Sequence, residues 1–267
     1  MSSRHSWEEL RVQITDLSVG TLLAHLVVGQ QQALGINLIG SYVFGSVVTG
    51  DFESGISDVD TVAVIRSNLK AAELAGLAQL HLGIVEEMPE WEDRVEVVYL
   101  SSRALKTFRT ESSAAARISP GEPFHEIEVD SSWLIDWYQL REVGIALLGP
   151  SATSLVPVIS SEEYVEAVRQ HVIDWPDLVD EPLTRGDQAY AILTMCRGLR
   201  TSRTAQHVSK REAARWACKA LPEHAQLIQD AVAWRERSGN GSSIDGTATR
   251  EATRRFVNDV KRLMNQN

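Results

Sequence analysis

Residues 36–44 read INLIGSYVF and residues 59–65 read VDTVAVI. Both runs are too short and too rich in β-branched residues for helices, and too apolar for strands open to water, so they predict buried strands. Between them come Gly45-Ser46 and then Ser57-Asp58-Val59-Asp60. Side chains two apart on a strand point to the same side, so Asp58 and Asp60 share a face and repel one another. A divalent cation relieves that repulsion. Mg²⁺ takes hard oxygen ligands and keeps positions open for phosphates. The turn agrees: Gly45 lets backbone approach a ligand closely, and Ser46 offers an N–H and a hydroxyl to a phosphate. The Lys-Ser/Thr of a P-loop and the glycine spacing of a dinucleotide fingerprint are both missing. A plain turn capped by Ser57 or Asp58 explains the acid pair alone, but not its conjunction with the glycine turn and two strands.

A third strand is predicted in RVEVVYL, residues 94–100, with Glu96 among apolar neighbours. A carboxylate there is costly unless it meets solvent, a partner or a metal. The competing reading is an exposed strand face on which Arg94 pairs with it. IALLG, residues 145–149, predicts a short edge strand closed by Gly149-Pro150. Helical spacing runs over 8–31 (Leu10, Val12, Ile14, Leu17, Leu22, Leu23, Leu26), over 69–87, and from Trp133 to Val143. Trp133 and Trp137 are read there as core residues.

From Ser160 onward every pattern is helical: 160–175, 186–202, 209–221, 223–238 and 249–264. Ser160 or Ser161, followed by glutamates, predicts a capped start. Residues 238–243, SGNGSS, predict a loop. The expected organisation is an α/β domain with a small mixed sheet, 1–157, followed by an all-α helical bundle, 158–267.

The formal net charge of −10 over 267 residues argues against general nucleic-acid binding and suits a cationic small-molecule partner. No stretch is long and apolar enough to span a membrane, and MSSRHSWEEL lacks the apolar core of a signal peptide, so a cytoplasmic protein is expected. Cys196 and Cys218 lack metal-ligand spacing and read as buried thiols. Against the acidic background, Arg197, Arg200, Arg203, Lys210, Arg211, Arg215 and Lys219 are opposed only by Glu212 between 197 and 219. Asp187, Tyr190, Thr194 and Arg197 fall on a rough polar stripe of one helix.

Gly45-Ser46, Ser57-Asp58-Val59-Asp60 and Glu96 on a later strand resemble the signature of the nucleotidyltransferase superfamily with the polymerase β-like fold. The two-domain layout resembles the aminoglycoside adenylyltransferases that modify streptomycin and spectinomycin. Ala146-Leu147-Leu148-Gly149-Pro150, Gly186-Asp187, Leu193-Thr194-Met195-Cys196-Arg197, Ser209-Lys210 and Ala213-Ala214-Arg215-Trp216 match that family in order. The resemblance implies that Asp58 and Asp60 hold Mg²⁺, with two ions, and that Glu96 is the general base. It implies that Gly45, Ser46, Arg197 and Lys210 bind the nucleotide, ATP, and that Asp187 faces the antibiotic. It implies AMP transfer to a hydroxyl of an aminoglycoside or aminocyclitol.

Two departures bear on the acceptor. Family members that accept streptomycin carry Phe-Gly-Glu-Trp after the third acid, where this chain has Phe124-His125-Glu126-Ile127. They also carry an aspartate where Leu183 stands, with Asp180 or Glu181 as substitutes across a short insertion. Spectinomycin is therefore favoured over streptomycin. An adenylyltransferase acting on a non-antibiotic small molecule or a protein hydroxyl stays open, as does a nucleotide-binding regulator without catalysis. The oligomeric state is not legible; a monomer is the working expectation.

Overall fold

The computed structural model describes residues 17–176, 184–236 and 245–266. Contacts divide the chain into two compact units, Met1–Ile159 and Ser160–Asn267.

The first unit is built on six strands: β1 (Leu38–Val43), β2 (Val59–Ile65), β3 (Val95–Ser101), β4 (Ser113–Ser119), β5 (Glu122–Val129) and β6 (Ile145–Leu148). Their order is β5-β4-β3-β2-β1-β6, so β6 is an edge strand, as its short sequence suggests. β2 and β3 run parallel and the other neighbouring pairs antiparallel. A parallel pair needs a long crossover. The described helices of this unit are α1 (Leu17–Leu34), α2 (Ser46–Thr49), α3 (Ala71–Glu87), α4 (Ser102–Thr107), α5 (Leu134–Val143) and α6 (Ala152–Leu155), and α3 makes that crossover.

Strand alternation sorts the core into two layers. Val59, Ala63 and Ile65 of β2, with Val95, Val97 and Tyr99 of β3, pack with Leu22, Leu23 and Leu26 of α1 and Leu77 and Ile84 of α3. Val62 and Val64, with Val98 and Leu100, pack with Leu105 of α4 and Trp137 and Leu140 of α5. Asp60 and Glu96 share the parity of this second set and stand at its rim, where β2 and β3 begin.

The β4–β5 hairpin lies outside the sequence expectation. SAAARIS has the composition of a helix or loop, because Ala and Ser lend little to a pleated surface. The turn signal is Pro120-Gly121, with Gly121 at φ 76°. Ser131–Trp133 forms a 3₁₀ turn capped by Asp130, so α5 starts at Leu134 rather than Trp133. The first half of the expected helix over 8–31 lies outside the described residues.

The described helices of the second unit are α7 (Ser161–Ile173), α8 (Arg185–Thr204), α9 (Lys210–Ala220), α10 (Ala225–Glu236) and α11 (Arg250–Asn265). Ser160 caps α7 in a reciprocal box with Glu163. α8 is the hub. Its Ile192, Leu193, Met195, Cys196 and Leu199 pack with Ala213 and Ala217 of α9, Ile228 of α10, and Phe256 and Val260 of α11. Both cysteines are free thiols, Cys196 buried and Cys218 half-buried. Asp180, Glu181, Leu183 and the loop at 238–243 lie outside the described residues. Among the described residues, no helix is long and apolar enough to cross a membrane.

Candidate active site

Backbone register gathers the acids. β2 and β3 pair Asp60 with Glu96, one strand spacing apart and on the same face. Asp58 stands one residue before β2. Asp58, Asp60 and Glu96 are half-buried, and each contributes a carboxylate oxygen to a group lying within 4.8 Å of one another. That donor set is all hard oxygen and fits Mg²⁺ or a similar divalent cation.

The segment leading to the aspartates is clasped by Arg94. Its Nε and Nη2 donate to the Ser57 carbonyl at 3.1 and 2.7 Å, and its guanidinium lies 4.7 Å over the Trp91 ring. Ser57 is buried, and its Oγ accepts from the Glu53 N–H at 3.0 Å. Arg94 thus holds the loop before Asp58. The cation that pairs with Glu96 comes from a strand the sequence did not reveal.

Gly45 has φ 66° and ψ −147°, a left-handed-side conformation that favours glycine. A Cβ there would stand 2.0 Å from Asp60 Oδ2. The glycine is required twice, by its backbone angle and by the carboxylate leaning against it. Ser46 opens the one-turn helix α2, and its Oγ is buried with no hydrogen-bond partner among the described residues. An orphaned hydroxyl one residue after the glycine that meets Asp60 is what a phosphate or hydrated-cation ligand would satisfy.

Glu96 has an ion-pair partner in Arg117 of β4, whose Nε is 3.6 Å from Glu96 Oε1. Burial pushes the Glu96 carboxyl up to about 7; Arg117 opposes that shift, while Asp136, Asp58 and Glu122 add to it. A carboxyl titrating near neutrality is suited to accept a proton from a hydroxyl.

The residues expected in the second unit have more varied surroundings. Asp187 is the third residue of α8. Its Oδ2 accepts from the Thr184 N–H and hydroxyl at 2.8 and 2.7 Å, while its own N–H donates to Thr184 Oγ1 at 3.2 Å. Asp187 is thus one half of a helix cap, exposed at the surface. In the polar stripe, Tyr190 is exposed and Thr194 is buried. Arg197 is half-buried and close enough to lower the proton affinity of His171 and His207, although burial is the larger cause at both. Lys210 Nζ lies 4.4 Å from the centre of the Tyr190 ring.

Sequence reasoning missed Arg117 and gave Trp133 only a packing role. Trp137 is fully buried, as expected. Trp133 stacks on it with ring centroids 5.5 Å apart and also lies 5.7 Å beneath the Arg117 guanidinium. A basic residue on the strand after the acid-bearing one was the available signal, and it requires knowing that β4 is a strand.

A mixed sheet that presents an aspartate pair and a glutamate beside a glycine turn defines a nucleotidyltransferase, and residues 32–113 match the nucleotidyltransferase domain model. Residues 154–262 match the aminoglycoside adenylyltransferase C-terminal domain model. Together, the two stretches resemble the aminoglycoside adenylyltransferases. It is 27% identical over 205 residues to a spectinomycin 9-adenylyltransferase of Staphylococcus aureus, covering 73% of this chain and 76% of the relative. To an aminoglycoside (3'') (9) adenylyltransferase of Escherichia coli it is 23% identical over 225 residues, covering 79% and 82%. The crystal structure of a spectinomycin adenyltransferase from Enterococcus faecialis, solved with ATP and spectinomycin, shares the fold. Its TM-score is 0.71 at 21% identity, over 91% of this chain and 98% of that one.

Proposed function

We propose that the protein transfers AMP from ATP to a hydroxyl of a cationic aminocyclitol or aminoglycoside, with spectinomycin favoured over streptomycin as acceptor, in the cytoplasm where ATP is supplied. The observation that carries this reading is the carboxylate group Asp58, Asp60 and Glu96, within 4.8 Å of one another on a chain that matches both domain models.

Asp58 and Asp60 would hold two Mg²⁺ ions. When bound, these supply charge neutralisation and alignment for the triphosphate. The Gly45 turn would let the backbone approach the phosphates, with the Ser46 hydroxyl and N–H as donors. Glu96 takes the acceptor hydroxyl's proton as the oxygen attacks the α-phosphate; the phosphoanhydride bond breaks and pyrophosphate leaves. Arg197 and Lys210 are assigned the negative charge that grows on the leaving phosphates. Asp187 is assigned the ammonium groups of the acceptor.

Preference for spectinomycin is supported by Ile127. It stands where streptomycin-accepting relatives carry tryptophan, and it packs into the apolar layer between the sheet and α5. The spectinomycin-modifying relative also matches at the higher identity of the two, 27% against 23%.

The test is pyrophosphate release from ATP and Mg²⁺ across a panel containing spectinomycin and streptomycin. Release with spectinomycin, and a fall on the order of 10³-fold in Asp60→Asn, is the expected result. Unimpaired release in Asp60→Asn would overturn the site. Silence across the panel with Mg²⁺-dependent ATP binding intact would overturn the acceptor class alone.

A further inference from the structure

Asp58, Asp60 and Glu96 are all carboxylates with oxygens within 4.8 Å of one another, so the donor set by itself does not separate metal ligand from proton acceptor. A cation could take all three, which would leave no carboxylate for the hydroxyl. We propose that Arg117 is a positioning residue that holds Glu96 back from the aspartate pair, dividing the three acids into two metal ligands and one proton acceptor. This rests on the nucleotidyl-transfer reading given above.

The placement follows from strand register. Val98 of β3 pairs with Arg117 of β4, so Arg117 lies diagonally across from Glu96 on the same face. Its Nε is buried and has no hydrogen-bond partner among the described residues, while Glu96 Oε1 stands 3.6 Å away. The orphaned donor therefore faces the carboxylate, and a small side-chain adjustment completes the bond. Both side chains are 27% exposed, so the pair is shielded from bulk water more than a surface ion pair.

The guanidinium is itself fixed. Its Nη2 donates to Ser119 Oγ at 2.6 Å and lies 3.5 Å from Glu122 Oε2. Ser119 is buried, and its hydroxyl donates in turn to Glu122 at 3.2 Å. Beneath the guanidinium lies Trp133, stacked within 18° of parallel on the buried Trp137. A cation tied to the sheet on one side and to the core on the other is a rigid post. Of the three clustered acids, it pairs with Glu96. The other two acids sit on and before β2, beyond β3.

The experiment reads Mn²⁺ affinity by electron paramagnetic resonance, with no acceptor present, in four proteins: parent, Glu96→Gln, Arg117→Ala and the double variant. If Arg117 keeps Glu96 out of coordination, Glu96→Gln weakens Mn²⁺ binding by less than about threefold in the parent. In the Arg117→Ala background the same change weakens it by about tenfold or more, because the freed carboxylate has joined the cation. Equal effects in both backgrounds would overturn the proposal. Arg117→Lys keeps the charge without the planar fork and provides the folding control. In turnover, Arg117→Ala lowers kcat by about 10–100-fold with KM for ATP and acceptor nearly unchanged, and Arg117→Lys recovers part of it. A rise in KM at constant kcat would instead make Arg117 a substrate contact and overturn the positioning role. Should the parent transfer AMP to no acceptor tested, the acceptor class falls while the Mn²⁺ comparison still decides the role of Arg117.

Discussion

The two units carry their charged side chains at different cost. In the sheet unit, strand register pairs Asp60 with Glu96 and Asp58 joins them from just before β2, three half-buried carboxylates close enough to repel. In the helical unit, cations such as Arg197 and Lys210 are spread along helix faces and lean on aromatic or polar neighbours. A clustered acid set is unfavourable without a counter-charge, so its presence says that something compensates it. Half-exposed cations on helices cost almost nothing, so their presence says little by itself. The expensive arrangement is the informative one.

The sharpest way to break this contrast is to disturb the geometry of the acids without touching their charge. Gly45→Ala places a methyl 2.0 Å from Asp60 Oδ2 at a φ of 66°. AMP transfer should fall by about 10²-fold or more, with a stability loss of about 1–3 kcal/mol. Gly50→Ala is the control: φ is 80°, and nothing lies within 4 Å of the added carbon. It should show similar backbone strain in denaturant melts and keep its activity. Equal activity losses in the two variants would mean that strain in the loop matters, and that the contact with Asp60 does not.

The same contrast explains what could be read in advance. β2 and β3 were legible because Val-rich runs have few other destinations, and Asp58, Asp60 and Glu96 stood out against them. The five described α-helices of the second unit were legible from spacing and from the Ser160–Glu163 cap. The β4–β5 hairpin was hidden by an alanine-rich strand and a half-exposed partner. Arg117 was hidden with it, because its meaning depends on a diagonal across two strands. Thr194 shows the limit of helical spacing: a stripe at i, i+3, i+7, i+10 drifts around the axis, and this member of it turns into the core. Thr184-x-x-Asp187 carries a capping pattern in plain sequence, overshadowed by the role the resemblance implied for Asp187.

A smaller effect separates the units by acid stability. His81, buried in the sheet unit against Tyr99 at 2.9 Å, is pushed down to about 4 by burial. His207, in the helical unit beside Tyr164 at 3.3 Å, is pushed down to about 4 by burial and secondarily by Arg197. Both stay neutral in the fold where the unfolded chain takes up a proton. Stability is therefore unaffected above the unfolded value of 6.5 and falls as pH drops from there toward 4. Denaturant melts from pH 7 to 4.5 should show a shallower decline in His81→Gln and in His207→Gln than in the parent. Arg197→Ala should raise the His207 titration followed by NMR and leave His81 unmoved. A shift at both would mean that the histidines respond to global loosening rather than to local charge.

The smallest expected effect falls on Asp187, where the cheap and the expensive roles of a carboxylate can be separated in one residue. As a cap it needs only an acceptor oxygen for the Thr184 N–H and hydroxyl. As a substrate contact it needs its charge. Asparagine keeps the oxygen and removes the charge, while alanine removes both. Asp187→Asn should lose a few tenths of a kcal/mol, mainly in its favourable interaction with the helix N-terminus. Asp187→Ala should lose about 1 kcal/mol. If the side chain also meets a cationic acceptor, both should raise KM for the acceptor by a similar factor, with KM for ATP unchanged. A KM that tracks stability, with alanine well above asparagine, would assign Asp187 to the cap alone and leave acceptor recognition to other side chains.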